Sequence, residues 1–206
     1  SGNCGSFPDV DSDHYLCPAI EFVRARGIFV GYGDGTLRMD NVIQRAELLA
    51  VIQKAFRYPL DSYSASRDGD LGYRDLEGKT DAWYMPYIKT FSRLKIMVGY
   101  PDGRMRPERT MSTAELYLVF LKAAEKAPLN IDRFTLPDTV KFPPFKDTPL
   151  NNDTKWYIKY AEFARLNDLV ATERFYPARG ITRGQVIQLI YDTYRKGLIT
   201  YGAAIY

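Results

Sequence analysis

Apolar residues recur along the chain at helical spacing in six short stretches, arranged as three pairs. The first member of each pair carries Ile20, Phe22 and Val23, then Ile88, Phe91 and Leu94, then Phe163, Ala164 and Leu166. A stripe of this 3.6-residue period predicts an amphipathic helix. The second members are stronger: Leu48, Leu49, Val51, Ile52, Ala55 and Phe56; Leu116, Val119, Phe120 and Ala123; Val186, Ile187, Leu189, Ile190 and Tyr194. These three stripes share one phase, which predicts second helices packed together as a central three-helix bundle. Gly27 suits the end of the first helix. Stretches rich in Pro, Gly, Ser and Asp from Arg57 to Gly72, and in Pro and alternating polar residues from Glu125 to Pro144, read as connectors.

Landmarks outside the stripes repeat with them. An aromatic, one residue and an aspartate occur at Phe7 to Asp9, Tyr73 to Asp75 and Phe145 to Asp147. Tyr15 precedes Ile28, Trp83 precedes Ile96 and Trp156 precedes Leu169 by 13 residues each. Met39, Pro107 and Pro177 precede Arg45, Thr113 and Arg183 by 6 residues each. The period is about seventy residues, so the chain reads as three helix-loop-helix units over 1–60, 61–128 and 129–206, mostly α and in a pseudo-threefold arrangement. The loop between the helices runs Gly31-Tyr32-Gly33-Asp34-Gly35-Thr36-Leu37 in the first unit and Gly99-Tyr100-Pro101-Asp102-Gly103-Arg104-Met105 in the second, each a strong turn signal. Its counterpart Thr172-Glu173-Arg174-Phe175 is three residues shorter and has no glycine.

Taken together, these motifs resemble the S-layer homology family. The matching pieces are Phe7 to Val10, Gly31 to Arg38 and Ile43-Gln44-Arg45-Ala46-Glu47; Gly99 to Pro107 and Met111 to Glu115; and Ile181-Thr182-Arg183-Gly184-Gln185. The resemblance implies a helical pseudo-trimer of repeats that binds cell-wall-linked polysaccharide in grooves between repeats. It also implies an acidic, pyruvylated sugar as ligand and a place on a bacterial cell surface. A monomer is expected, because one chain supplies all three units. Gln44, Thr113, Gly184 and Gln185 depart from the family pattern, which implies that the three grooves differ.

The same residues have readings of their own. Ser112 with Glu115, and Thr182 with Gln185, have capping-box spacing. Arg45 and Arg183 sit where a helix dipole is positive, so free N–H groups and a guanidinium fork suit an acidic sugar substituent. The alternative is a salt bridge to Asp9 or Asp147. On the anion reading, Arg45 and Arg183 outrank Thr113. Tyr15, Trp83 and Trp156 could stack on sugar rings or plug the core. Asp9, Asp75 and Asp147 could accept sugar hydroxyls, but capping the first helix is simpler. Gly31, Tyr32, Gly99 and Tyr100 complete the candidate groove set. Cys4 and Cys17 could form a disulfide or remain free thiols, with Cys17 buried on the first helix.

Composition narrows the function. The 206 residues carry 28 Lys and Arg against 25 Asp and Glu, a net charge of +3 with signs interspersed, so nucleic acid is not expected as a partner. With one histidine, His14, read as a surface residue, Ser-His-Asp and multi-His metal chemistry lose their templates. The strings at Asp9 to Asp13 and Ser66 to Asp70 lack the central glycine of a calcium loop, so no metal and no cofactor are expected. No run of about 18 apolar residues and no charged-then-apolar leader occurs, so neither membrane insertion nor an export signal is expected. Two other functions stand beside a non-catalytic glycan binder: a wall-glycan hydrolase using Asp75 with Asp147, and a protein-interaction scaffold. Threefold repetition of one aspartate in like settings favours binding over catalysis.

Overall fold

A computed structural model describes residues 2–127, 129 and 134–204. Part of the connector from Glu125 to Pro144, and with it the expected boundary between the second and third units, therefore lies outside the described residues. Among the described residues the chain forms seven α-helices: α1 (Cys17–Ala25), α2 (Arg45–Phe56), the single turn α3 (Ala65–Asp68), α4 (Met85–Arg93), α5 (Thr113–Lys126), α6 (Ile158–Leu166) and α7 (Arg183–Arg195). The fold is mostly α, as the periodicity requires, and extended pairing is confined to isolated bridges.

Local chemistry sets the helix ends. Pro18 and Pro86 occupy the first turns of α1 and α4, where their fixed φ is preorganised and their missing N–H costs nothing. Ser112 caps α5, and Thr182 with Gln185 forms a complete capping box on α7. Gly27 turns the chain after α1 with φ of 66°, while Lys95 and Asp168 take the same left-handed conformation at corresponding points without glycine.

Three hydrogen bonds join the units in a closed ring. Ile43 N–H donates to Ile181 O at 2.9 Å, Ile181 N–H to Met111 O at 3.0 Å, and Met111 N–H to Ile43 O at 3.0 Å. All three side chains are buried. The helices follow the same rotation: α4 packs on α2, α6 on α5 and α1 on α7, so each second helix meets the first helix of the next unit. The apolar stripes of α2, α5 and α7 face one continuous core that includes Ile52, Phe120 and Ile187. Among the described residues, however, only α2 and α5 of these three approach at short backbone range. The expected bundle is thus a shared core whose tightest contacts run between a first and a second helix.

Cys4 and Cys17 are joined by a disulfide with their Cα atoms 5.5 Å apart, tying the start of the chain to α1. Their nearness to Glu21 has no metal-binding meaning, because both sulfurs are spent on each other. Half-buried His14 accepts the Leu16 N–H through Nδ1 at 3.1 Å just before α1. No helix among the described residues is long and apolar enough to cross a membrane.

Candidate functional site

The three aspartates do not cap the first helices. Each reaches forward to the loop between the helices and accepts two consecutive backbone N–H groups. Asp9 takes those of Leu37 and Arg38 at 2.9 and 2.8 Å, Asp75 those of Met105 and Arg106 at 2.8 and 2.7 Å, and Asp147 those of Phe175 and Tyr176 at 2.8 Å each. The second residue of every pair has positive φ, 53°, 49° and 53° in turn, so the carboxylate holds backbone that L-residues resist. Partial burial acts upward on the Asp9 pKa, but the Leu37 and Arg38 N–H groups win and hold it below the usual aspartate value. With both oxygens of Asp75 and Asp147 committed to backbone, neither is placed as a general acid or nucleophile for the hydrolase reading.

Gly31 and Gly99 serve the same loops. A Cβ on Gly31 would lie 2.9 Å from the Phe7 ring, and one on Gly99 would lie 2.6 Å from the Tyr73 ring. The glycines let the first aromatic of the first two units lie against its loop, a framework role.

The helix N-termini are not free. Arg45 and Ala46 donate their N–H groups to Arg109 O and Pro107 O, Thr113 and Ala114 to Arg179 O and Pro177 O, and Arg183 and Gly184 to Asn41 O and Met39 O. The first two donors of all three helices are used up in joining one unit to the next, including those at Arg45 and Arg183 that were expected to face an anion.

The arginine side chains are tied down as well. Arg45 is 5% exposed; its Nε donates to Met105 O at 3.0 Å, one terminal nitrogen to Val98 O at 3.1 Å, and the other pairs with Glu115 at 3.3 Å over the Tyr100 ring. Arg183 is 8% exposed; its Nε donates to Leu37 O at 3.0 Å and it pairs with Glu47 at 3.3 Å over Tyr32. Burial pushes the Arg45 pKa down, while Tyr100 and Glu115 act in the opposite direction. Both arginines are in salt bridges, but with Glu115 and Glu47 of a neighbouring unit and not with the expected Asp9 or Asp147. Tyr32 and Tyr100 form the floor of these ties, and Arg38, Arg106 and Arg109 also lie over them.

The three large aromatics behave otherwise. Tyr15 is 80% exposed, Trp83 56% and Trp156 49%, whereas the residue after each, Leu16, Tyr84 or Tyr157, is buried. The core plug lies one position later than expected, and the aromatic itself faces solvent. Tyr15 lines a hollow of about 150 Å³ with Met39, Thr182, Gly184 and Gln185, bringing the first unit against the start of α7. At the remaining interface, Thr113 donates to Arg179 O at 3.1 Å and leaves a cavity beside it.

Glu47, Glu115, Gln188 and Asp192 were absent from the candidate set. Glu47 and Glu115 stand two residues after Arg45 and Thr113, a repeated acid that signals a role, but their partners belong to other units and spacing within one unit does not disclose them.

The geometry defines a repeat-built helical domain whose units interlock through their helix starts and bear exposed aromatics. The sequence model of the S-layer homology domain matches residues 6–49 and 72–116 of this chain. A cellulosome-anchoring protein of Acetivibrio thermocellus is 33% identical over 61% of this chain and 27% of its own length. Cell surface glycoprotein 1 of the same organism is 28% identical over 64% of the chain and 6% of its length. An S-layer protein of Bacillus thuringiensis subsp. finitimus is 22% identical over 91% of the chain and 21% of its length. The chain thus spans about a quarter or less of these relatives.

Proposed function

We propose that this chain is a non-catalytic anchoring module of the bacterial cell surface that binds wall polysaccharide. The match of residues 6–49 and 72–116 to the S-layer homology domain and the names of the relatives support the cell-surface setting. The observation that carries the binding reading is the exposure of Tyr15, Trp83 and Trp156 at corresponding points of a repeated frame. An aromatic at the same point in every unit, turned to water while its neighbour fills the core, offers an apolar face to sugar rings.

Acidic substituents, pyruvate ketals among them, belong to the same reading. Arg45 and Arg183 shape and brace two of the grooves, and any contact they make with an acid is at the rim of a closed tie rather than through an open fork. Arg109, stacked over Tyr100, extends the positive rim, whereas Arg38 and Arg106 are paired with Asp34 and Asp102. The module works as a monomer of interlocked repeats.

Pelleting with purified cell-wall sacculi, with and without their attached polysaccharide, tests the reading. The protein is expected to sediment only with sacculi that keep the polysaccharide and to release no sugar from them. Equal sedimentation with stripped sacculi, or release of reducing ends, would overturn it.

A further inference from the structure

The three interfaces share one backbone plan, yet one has lost a whole set of side chains. At two of them a tyrosine, an arginine and a glutamate from adjoining units form one cluster: Tyr100, Arg45 and Glu115, and Tyr32, Arg183 and Glu47. At the third, Thr113 and Gln185 stand at the arginine and glutamate positions, and the shortened loop brings Thr172 but no tyrosine to the interface. From Leu169 to Phe175 that loop is three residues shorter than its counterparts from Ile28 to Leu37 and from Ile96 to Met105.

Every replacement turns inward. Thr113 donates to Arg179 O, Thr172 donates to Arg174 O at 2.6 Å, and the Gln185 side-chain oxygen accepts the Thr182 N–H at 2.9 Å. None of these contacts rebuilds the tie, and the space the tie fills elsewhere is here a cavity of about 260 Å³. Apolar and aromatic walls from Leu116, Tyr117, Phe175 and Leu189 surround it. Among the described residues its charged lining consists of Arg179, stacked 3.8 Å over Tyr176, and Asp192, which accepts the Gln188 side-chain amide at 2.7 Å. Gln185 and Gln188 also line the hollow that holds Tyr15, so the two spaces meet across one face of α7.

We infer that this third interface is a binding site for a single uncharged sugar ring, distinct in chemistry from the two arginine-tied interfaces. Apolar walls suit the carbon face of a pyranose, and the amides of Gln185 and Gln188 with the Asp192 carboxylate suit its hydroxyl or acetamido edge. One positive and one negative lining residue leave no net charge to select an acid. The volume is below the roughly 300–1,000 Å³ of pockets for larger ligands, which fits one ring rather than a chain. The choice of sugar rests on the anchoring function; the neutrality rests on the interface alone.

Saturation-transfer NMR with the methyl glycosides of glucose, galactose and N-acetylglucosamine, beside methyl glucuronide, provides the test. The native protein is expected to show transfer from at least one neutral glycoside, more strongly than from the glucuronide, with little change on adding salt. Thr113→Arg combined with Gln185→Glu rebuilds the tie and should weaken that binding at least tenfold. Thr172→Tyr, at an exposed position, should weaken it too and serves if the double variant does not fold. No transfer from any neutral glycoside, stronger transfer from the glucuronide, or unchanged binding in a folded refilled variant would overturn the inference. Sedimentation of the native protein with sacculi, measured alongside, separates failure of this site from failure of the anchoring function.

Discussion

The Arg45 interface and the Thr113 interface are built on the same backbone. In each, the first two N–H groups of a second helix go to carbonyls of the next unit's loop, and an aspartate braces that loop from behind. Above this frame they part: one is filled by a buried guanidinium with a glutamate and two carbonyls as partners, the other by a threonine and a cavity. The backbone ring joins the units and tolerates both fillings, so side chains are free to make one interface a tie and another a pocket. The arginine that sequence motifs mark most strongly is here the residue least available to a ligand.

The largest effect that sharpens this contrast is on stability. Arg45→Ala leaves Glu115 and two carbonyls without their partner, and removing one member of a buried pair costs about 3–5 kcal/mol. For a chain of this size that is a fall of roughly 6–20 °C in Tm, and Arg183→Ala should behave alike. Thermal unfolding followed by circular dichroism checks both, and a loss under about 2 °C would break the contrast. Next comes the disulfide: Cys4→Ser with Cys17→Ser should cost about 3 kcal/mol in the chain-entropy account, read as a lower midpoint in urea.

The repeats, the helix pairs and the common core are legible in the sequence because hydrophobic period and landmark spacing act within one unit. The partners of Arg45, Arg183 and the three aspartates are not, because each lies 28 or more residues away or in another unit, where local spacing carries no information. Capping was expected for the aspartates because they lie upstream of the first helices, but α1, α4 and α6 begin well beyond them and the left-handed backbone at Arg38, Arg106 and Tyr176 makes the demand for an acceptor. Between the two readings of Tyr15, Trp83 and Trp156, stacking platform or core plug, apolarity alone could not decide, since Leu16, Tyr84 and Tyr157 beside them are also apolar and take the inward positions.

Thr113→Ala should have a smaller effect, about 1 kcal/mol for its hydrogen bond to Arg179 O, and a drop matching that of Arg45→Ala would erase the difference between the interfaces. The smallest effect is expected in acid. The folded Asp9 pKa is depressed, so its contribution is present above the ordinary aspartate value and is lost as pH falls through the folded one. Asp9→Asn should therefore lose less stability than the native protein between about pH 5 and pH 2, measured by urea midpoints across that range.

Calorimetric titration with soluble polysaccharide released from sacculi tests the central claim most directly. The native protein should bind it, and Tyr15→Ala with Trp83→Ala and Trp156→Ala, all exposed and so leaving the circular dichroism spectrum and Tm intact, should bind at least about tenfold more weakly if each aromatic contributes about 0.5–1.5 kcal/mol. Equal affinity in the folded triple variant would contradict the assignment of these aromatics, and no binding by the native protein would contradict the anchoring function itself.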